Sequence, residues 1–430
     1  MKKVFIFLCF IASLAQAQQA LSLKDAINIA LKNSYDIQLA KNNVEISTIN
    51  NNYGVAGGLP LITGTASDNE QLTSLNQKLS NGTNINKSGV TGNSLNAGVT
   101  AGILLYNGMR VVSTKQRLEQ LQQQSQLLLN AQIQNTIAQV MTQYYEVVRQ
   151  QGYLKTIEGS LAAAQQRLSV VQTRQQVGLA NNADLFQSQL DLNALVQTQQ
   201  SQQLVIDQSK ADLLTSLQLK ADSLINISDT ILVETGLQQS TILSGIANNP
   251  TIAAADEQIR INSLIEKETV AQRYPSLRFN SGYNYGRSSS TAGFNLLNQS
   301  YGPFASINLS VPIYNGSIAK RQQQTAAIAT RNAQLQKELL VRDNTNIAVK
   351  TFQAYQNAIQ QLQTQQQNYS LSKQLLDLVL QKFQLKQATI IDVKQAQQSF
   401  EAEGYRLVNL NFAAKSAEIE LKRITNALSF

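Results

Sequence analysis

The sequence predicts a mainly α-helical protein with a β part suited to a membrane, assembled from two internal repeats. Three observations carry that prediction. Tyr106-Asn107-Gly108 recurs as Tyr314-Asn315-Gly316, an offset of 208 residues. Apolar residues recur every seven positions over long stretches, and shorter stretches alternate apolar and polar residues with period two. A sustained heptad seam argues for helices packed as coiled coils, and alternation argues for strands with two unlike faces. The 430-residue chain is long enough for such an extended body, and only 14% of it is charged, against ~25% in an average soluble protein. Gln, Asn, Ser and Thr supply the polarity instead.

The same composition excludes whole classes of function. His and Trp are absent, and Cys9 is the single cysteine. Imidazole is the most frequent general acid/base near neutral pH and a frequent metal ligand, and disulfide frameworks or four-cysteine sites need more thiols than this chain has. No cluster of acid, base, nucleophile or metal ligands appears, so the chain reads as a non-enzyme without cofactor or metal. Removing Lys2 and Lys3 from the 35 basic residues leaves 33 against 27 acidic ones, a net +6. These charges are scattered without a basic block, which argues against nucleic-acid binding.

Taken in order, residues 1–17 read as a secretory signal peptide: Lys2 and Lys3, an apolar run from Val4 to Leu14, and the small-x-small site Ala15-Gln16-Ala17. The apolar run is too short to cross ~30 Å of hydrocarbon, and Cys9 lacks the small neighbour of a lipoprotein signal. Cleavage leaves a cysteine-free chain. Residues 18–217 form the first repeat. It opens on a helix, for which Ser22 and Asp25 fit a capping box, and Pro60 stops the helical stretch before the strands. Strands are expected at about 61–67 and 96–106, where Val99, Ala101, Ile103 and Leu105 lie opposite Thr100 and Gly102. Long helices follow at 108–177 and 184–217, with heptad seams at Val147, Leu154, Leu161 and Leu168, then Leu185, Leu192, Ile206 and Leu213. The first is on the order of 100 Å long at ~1.5 Å per residue, and no 18-residue apolar run occurs inside it, so it stands in water.

Residues 218–248 read as an equatorial linker, extra structure around the middle of the helical body. The second repeat, 249–430, has a helix, Pro275, strands at about 277–287 and 304–314, and long helices at 316–385 and 392–427. Its heptads fall at Tyr355, Leu362, Tyr369 and Leu376, then Val393, Phe400, Ala414 and Leu421, each 208 residues after its partner. In its strands Leu277, Phe279, Tyr283 and Tyr285 alternate with Arg278, Asn280, Gly282, Asn284 and Gly286. Ala305, Ile307, Leu309, Val311 and Ile313 alternate with Ser306, Asn308 and Ser310. The polar stretches 68–93 and 288–302 are loops by composition.

A soluble hairpin with one buried face and the wall of a membrane barrel both fit such strands. For a barrel, four strands are too few, since closure takes about eight or more, so neighbouring chains must contribute. Two chains would give eight strands and three would give twelve. Tyr106, Tyr274, Tyr283, Tyr285 and Tyr314 suit either an interfacial aromatic girdle or buried packing.

The duplicated plan resembles the TolC-type outer-membrane efflux proteins, also called outer-membrane factors. So do the Tyr-Asn-Gly strand ends, Val177-Gly178-Leu179 followed by Asp184, and the opening Leu21-Ser22-Leu23-Lys24-Asp25-Ala26. The likeness covers essentially the whole mature chain. It implies a homotrimer with a shared twelve-stranded β-barrel, four strands per chain, in outer-membrane lipid, continued by a long periplasmic α-helical coiled-coil barrel. It also implies an exit duct of a tripartite efflux or type I secretion system, working with a periplasmic adaptor (membrane fusion protein) and an inner-membrane transporter of the RND, ABC or MFS type. The competing reading is a secreted periplasmic coiled-coil structural or adaptor protein.

The resemblance marks the two turns as adaptor-docking tips, with Gly178, Leu179 and Ala180 on the first and Lys386 and Gln387 on the second. It marks Asp184, Phe383, Ala388, Asp392 and Gln395 as the tunnel entrance or gate. Asp392 matches the first position of an acidic ring, and the second position is Gln395 here. A tyrosine and an arginine that help lock the family's entrance correspond to Phe383 and Ala388, and only their acidic partner, Asp184, is retained. Closure then rests on coiled-coil packing. An Asp that opens a helix after a turn also suits an N-cap, so Asp184 and Asp392 carry a capping reading beside the gating one.

Overall fold

The computed structural model describes residues 19–293 and 295–429; the expected signal peptide, residues 1–17, lies outside the described residues. In chain order the elements are β1 (Gln19–Ala20), α1 (Leu23–Asn33), α2 (Tyr35–Asn50), β2 (Leu61–Lys78), β3 (Asn84–Tyr106), α3 (Arg110–Gln176), α4 (Asn182–Ser216), β4 (Ile225–Asn226), α5 (Gln239–Gly245), α6 (Pro250–Ala271), β5 (Ser276–Ser290), β6 (Leu297–Ser310), α7 (Ile318–Gln384) and α8 (Ile390–Ile424). α3 and α7 have 67 residues each and α4 and α8 have 35 each, so the duplication holds helix for helix. No helix among the described residues is long and apolar enough to cross a membrane.

The chain divides into two compact units. One contains residues 42–127 and 253–339, and the other contains the described residues up to Lys41 with Leu128–Ile252 and Leu340 onward.

The first unit holds an antiparallel sheet of order β2-β3-β5-β6, in which β3 and β5 join the two repeats. Its register settles how the alternating strands combine. Ile103 pairs with Phe279 and Phe279 with Ile307, Val99 pairs with Tyr283, and Leu277 pairs with Leu309. The apolar alternation of three strands therefore falls on one face, because paired residues share a side of the pleat. Helical segments of the same unit are tied by Arg117 Nε to Glu268 Oε1 at 2.7 Å and by Lys337 Nζ to Asp256 Oδ1 at 2.6 Å.

The strands run longer than the sequence pattern suggests. Residues 68–93 and 288–302, expected as loops, are largely strand; β2 and β3 are joined at 79–83, and β5 ends at Ser290 with β6 starting at Leu297. A polar, Asn- and Ser-rich stretch reads as a loop only because it lacks an apolar face, yet backbone pairing needs no apolar face. β6 in turn stops at Ser310, short of the expected Tyr314. Pro312, which has no N–H to donate, follows closely.

The second unit is organised by three apolar clusters. In the first, Ala26, Ile27 and Ala30 of α1 pack with Ile137, Val140, Tyr144 and Val147 of α3 and with Leu213 and Leu214 of α4. In the second, Ile242 and Ile246 pack with Ala348, Phe352 and Tyr355 of α7 and with Leu421 of α8. Val140, Tyr144, Val147 and Leu213 stand 208 residues before Ala348, Phe352, Tyr355 and Leu421, so each repeat builds its core from equivalent positions. The linker 218–248 contributes Ile225 and Ile227 to the first cluster and Ile242 and Ile246 to the second. Tyr144 donates to the Asp229 carboxylate, and burial pushes its phenol well above the usual range.

α3 and α8 approach closely through small residues. A Cβ on Gly152 would stand 3.0 Å from Val408, one on Gly159 2.9 Å from the Phe400 ring, and one on Gly404 2.6 Å from Thr156. The expected first heptad is only partly used here: Val147 is buried, while Leu154, Leu161 and Leu168 stay half-buried. α3 instead turns its row of small residues to α8.

The Tyr-Asn-Gly signals each end in a left-handed turn that starts a long helix: φ is +67° at Gly108 and +65° at Gly316. A Cβ on Gly108 would meet Tyr274 Cβ at 2.7 Å and the Ala271 carbonyl at 2.8 Å, whereas Gly316 faces open space. Gly316→Ala is expected to lose about 1 kcal/mol from the left-handed backbone alone. Gly108→Ala loses more, measured as thermal stability of the detergent-solubilised protein. Equal losses would show that the crowding at Gly108 has no energetic effect.

Candidate functional site

The hairpin tips and the two faces of the sheet are the places where geometry goes beyond packing. At the first tip, α3 ends in a left-handed Gly178 (φ +73°), with the Leu179 N–H donating to the Arg174 carbonyl at 2.7 Å and the Gly178 N–H to Gln175 at 3.0 Å. The second tip repeats this motif with Lys386 (φ +62°) in the glycine position, Gln387 N–H donating to Lys382 and Lys386 N–H to Phe383. Such paired bonds satisfy the last carbonyls of a helix and favour glycine at the left-handed residue.

The next helix starts equally alike. Asn181 and Thr389 are the N-caps, accepting the N–H of Asp184 at 2.7 Å and of Asp392 at 3.2 Å. Neither aspartate is therefore the N-cap that its position after a turn suggests; both lie three residues past the cap in the first turn, where an anion still favours the helix dipole. Asp392 completes a capping box by accepting from Thr389 N–H at 2.7 Å and from its hydroxyl at 2.8 Å. The backbone hydrogen bond from Thr389, helped by the hydroxyl, holds the Asp392 carboxyl below the usual carboxylate range.

The expected entrance residues occupy unlike environments. Asp392 and Gln395 are exposed, and Asp184 and Ala388 are half-buried. Phe383 is 3% exposed, in a cluster with Val171, Leu376, Leu380, Val393, Ala396 and Phe400. Val177, Leu179, Leu385 and Ile391 stand exposed around the tips.

Four charged residues that the motif reading did not single out organise this end. Arg174 donates to the Phe383 carbonyl, and its guanidinium lies 4.5 Å from the centre of the Phe383 ring, so α3 holds the end of α7. Arg167, with a side chain only 1% exposed, pairs with Asp191 at 2.9 Å, and Lys394 of α8 reaches the same carboxylate at 3.1 Å. Burial pushes the Arg167 guanidinium down from its usual value, against the pull of Asp191. A signal existed in the sequence. Arg167 and Arg174 are seven apart, as are Asp184 and Asp191, and both sets lie symmetrically about the first turn.

On the sheet, Tyr283 and Tyr285 lie on the face of Phe279 and Ile307, and Tyr285 pairs with Tyr301. The opposite face carries Thr63, Thr100, Asn96, Asn280, Asn284, Ser306 and Asn308.

A helix-rich duplication joined by one four-stranded sheet is the plan of a known family. The family model described as outer membrane efflux protein matches residues 26–220 and 243–427. The chain belongs to the outer membrane efflux protein family. Its relative, outer membrane protein TolC of Vibrio cholerae, is 26% identical over 320 residues, covering 69% of this chain and 68% of TolC. Solved structures share the fold at lower identity. VceC of Vibrio cholerae superposes with a TM-score of 0.75 at 16% identity, covering 94% of this chain and 96% of VceC. The CmeC channel of Campylobacter jejuni gives 0.76 at 15% identity, covering 94% and 85%. As a member of the outer membrane efflux family, this protein is an outer-membrane efflux channel, and its relatives are channels rather than enzymes.

Asp191→Ala leaves a buried guanidinium unpaired and releases Lys394, which is expected to cost about 3–5 kcal/mol locally. Amide exchange across residues 180–195 should report the loss. The double variant Arg167→Met with Asp191→Leu should restore most of the protection, since apolar replacement of a buried pair is commonly tolerated. A double variant as labile as the single one would show that the pairing is not the cause.

Proposed function

We propose that three copies of the chain form an outer-membrane exit duct of a tripartite efflux or type I secretion system. The duct is a passive conduit for substrates delivered by an inner-membrane transporter through a periplasmic adaptor. The observation that carries this reading is the sheet, which pairs one apolar face with one polar face and leaves β2 and β6 each with an open edge. An unpaired edge is prohibitive in hydrocarbon, and four strands cannot close on themselves. Pairing β6 of one copy with β2 of the next removes every edge, and three copies make a twelve-stranded barrel. The apolar face then meets lipid and the Thr, Ser and Asn face meets water.

The long helices stand in the periplasm, where their polar surfaces are hydrated. The tips, Gly178 to Ala180 and Lys386 to Gln387, are the adaptor-docking surface, and exposed Val177, Leu179, Leu385 and Ile391 give a partner apolar area to bury. Asp184, Asp392 and Gln395 line the entrance, while Phe383 and Ala388 hold it from within the packed tip cluster. Arg174 and the Arg167–Asp191–Lys394 group are the polar tethers that stand beside this packing.

The protein should be extracted from membranes only by detergent, migrate as a trimer, and give discrete conductance steps in planar bilayers. On whole cells, a bulky maleimide that cannot cross the outer membrane should label Ser290→Cys and spare Gly178→Cys and Lys386→Cys. The latter two should crosslink to an adaptor. Labelling of the tips instead of Ser290→Cys would invert the orientation. A detergent-free soluble monomer would sink the duct and favour a secreted coiled-coil structural or adaptor protein.

A further inference from the structure

The register of the sheet sorts its charges by face. In the regular part of the ladder, up to Thr73 on β2 and from Val90 on β3, four charged residues occur: Asp68, Glu70, Arg278 and Arg287. Asp68 pairs with Leu95, Leu95 with Arg287, and Glu70 with Asn93, which puts three of the four on the face that also carries Tyr285 and Phe279. They lie beyond the Tyr285–Tyr301 pair, where an apolar band gives way to polar positions. Arg278 alone is on the other face, paired with Asn308 and followed on that face by Asn280 and Ser306.

That face is otherwise neutral and built for crowding. It carries Gly92, Gly98, Gly102, Gly282, Gly286 and Gly302, six of the eight strand glycines. A Cβ on Gly98 would meet Asn284 Oδ1 at 2.5 Å, and one on Gly102 would meet Asn280 Oδ1 at 2.7 Å and Arg278 Nη1 at 3.5 Å. The missing side chains make room for neighbouring Asn and Arg groups. No Asp or Glu shares the face within the regular ladder.

We infer that Arg278 is the charge-selecting residue of the barrel, a ring of fixed positive charge at its helical end that favours small anions over cations. The inference rests on the duct reading above, in which the Asn- and Gly-bearing face lines water and three copies each supply one Arg278. A guanidinium is a planar, delocalised cation. In a pore with low-dielectric walls and no counter-charge nearby, such a ring focuses the field on passing ions. The Arg278 ring is opposite in sign to the Asp392 carboxylates of the tips.

The test is the reversal potential of trimeric channels in planar bilayers under a KCl gradient. Arg278→Glu should raise the K⁺/Cl⁻ permeability ratio about threefold or more, Arg278→Gln should raise it less, and Arg278→Lys should leave it near wild type. Arg287→Glu reverses the same charge on the same strand but on the opposite face, and should leave the ratio unchanged. An Arg278→Glu channel with the permeability ratio of wild type would overturn the assignment while leaving the duct intact. A response to Arg287→Glu instead would mean that the sheet closes with its faces reversed. Wild-type protein that forms no channels would overturn the duct reading itself.

Discussion

Close contact between α3 and α8 is the constraint on which the helical unit depends. These helices come from different repeats, one near the start of the chain and one at its end, and they meet where Gly152, Gly159 and Gly404 leave room for Val408, Phe400 and Thr156. Packing of this kind gains dispersion energy only at short range, so a side chain in place of either α3 glycine would force the helices apart. With α3 and α8 apposed, the Phe400 ring reaches the tip cluster and Lys394 comes within reach of Asp191. The tip tethers therefore follow from a fit made further along the helices.

Much of this architecture was legible in the sequence because duplication writes every signal twice. The 208-residue offset that relates Tyr106 to Tyr314 also relates Val140 to Ala348 and Asn181 to Thr389, so core and cap repeat together. Period-two alternation puts Ile103, Phe279 and Ile307 each on the apolar face of its own strand, because the pleat leaves a strand only two faces, and the register then brings the three to one side of the sheet. Strand length was not legible. Beyond the apolar band, residues such as Asn69 and Ser94 carry no alternation in hydrophobicity, and only the ladder of backbone hydrogen bonds identifies them as strand.

The tips show a different limit. Asp184 and Asp392 were conspicuous as charges next to a turn, yet their neighbours Asn181 and Thr389 do the capping, since a cap is defined by backbone angles that composition does not reveal. The ion pair of the first tip hairpin, Arg167 with Asp191, was written as two heptad-spaced pairs symmetric about the first turn. Seeing it required folding the hairpin back on itself. Arg174 went further and bonded across to Phe383, a pairing between residues 209 apart that no local spacing encodes.

The two tips are copies of one turn, and only one of them is relaxed. Gly178 takes a left-handed backbone freely, while Lys386 holds the same angles with a Cβ that opposes them, at a cost on the order of 1–2 kcal/mol. Gene duplication supplied the same hinge twice, and divergence then left one copy under tension. The two hairpins are therefore uneven at the backbone: the second tip carries a local conformational cost that the first does not.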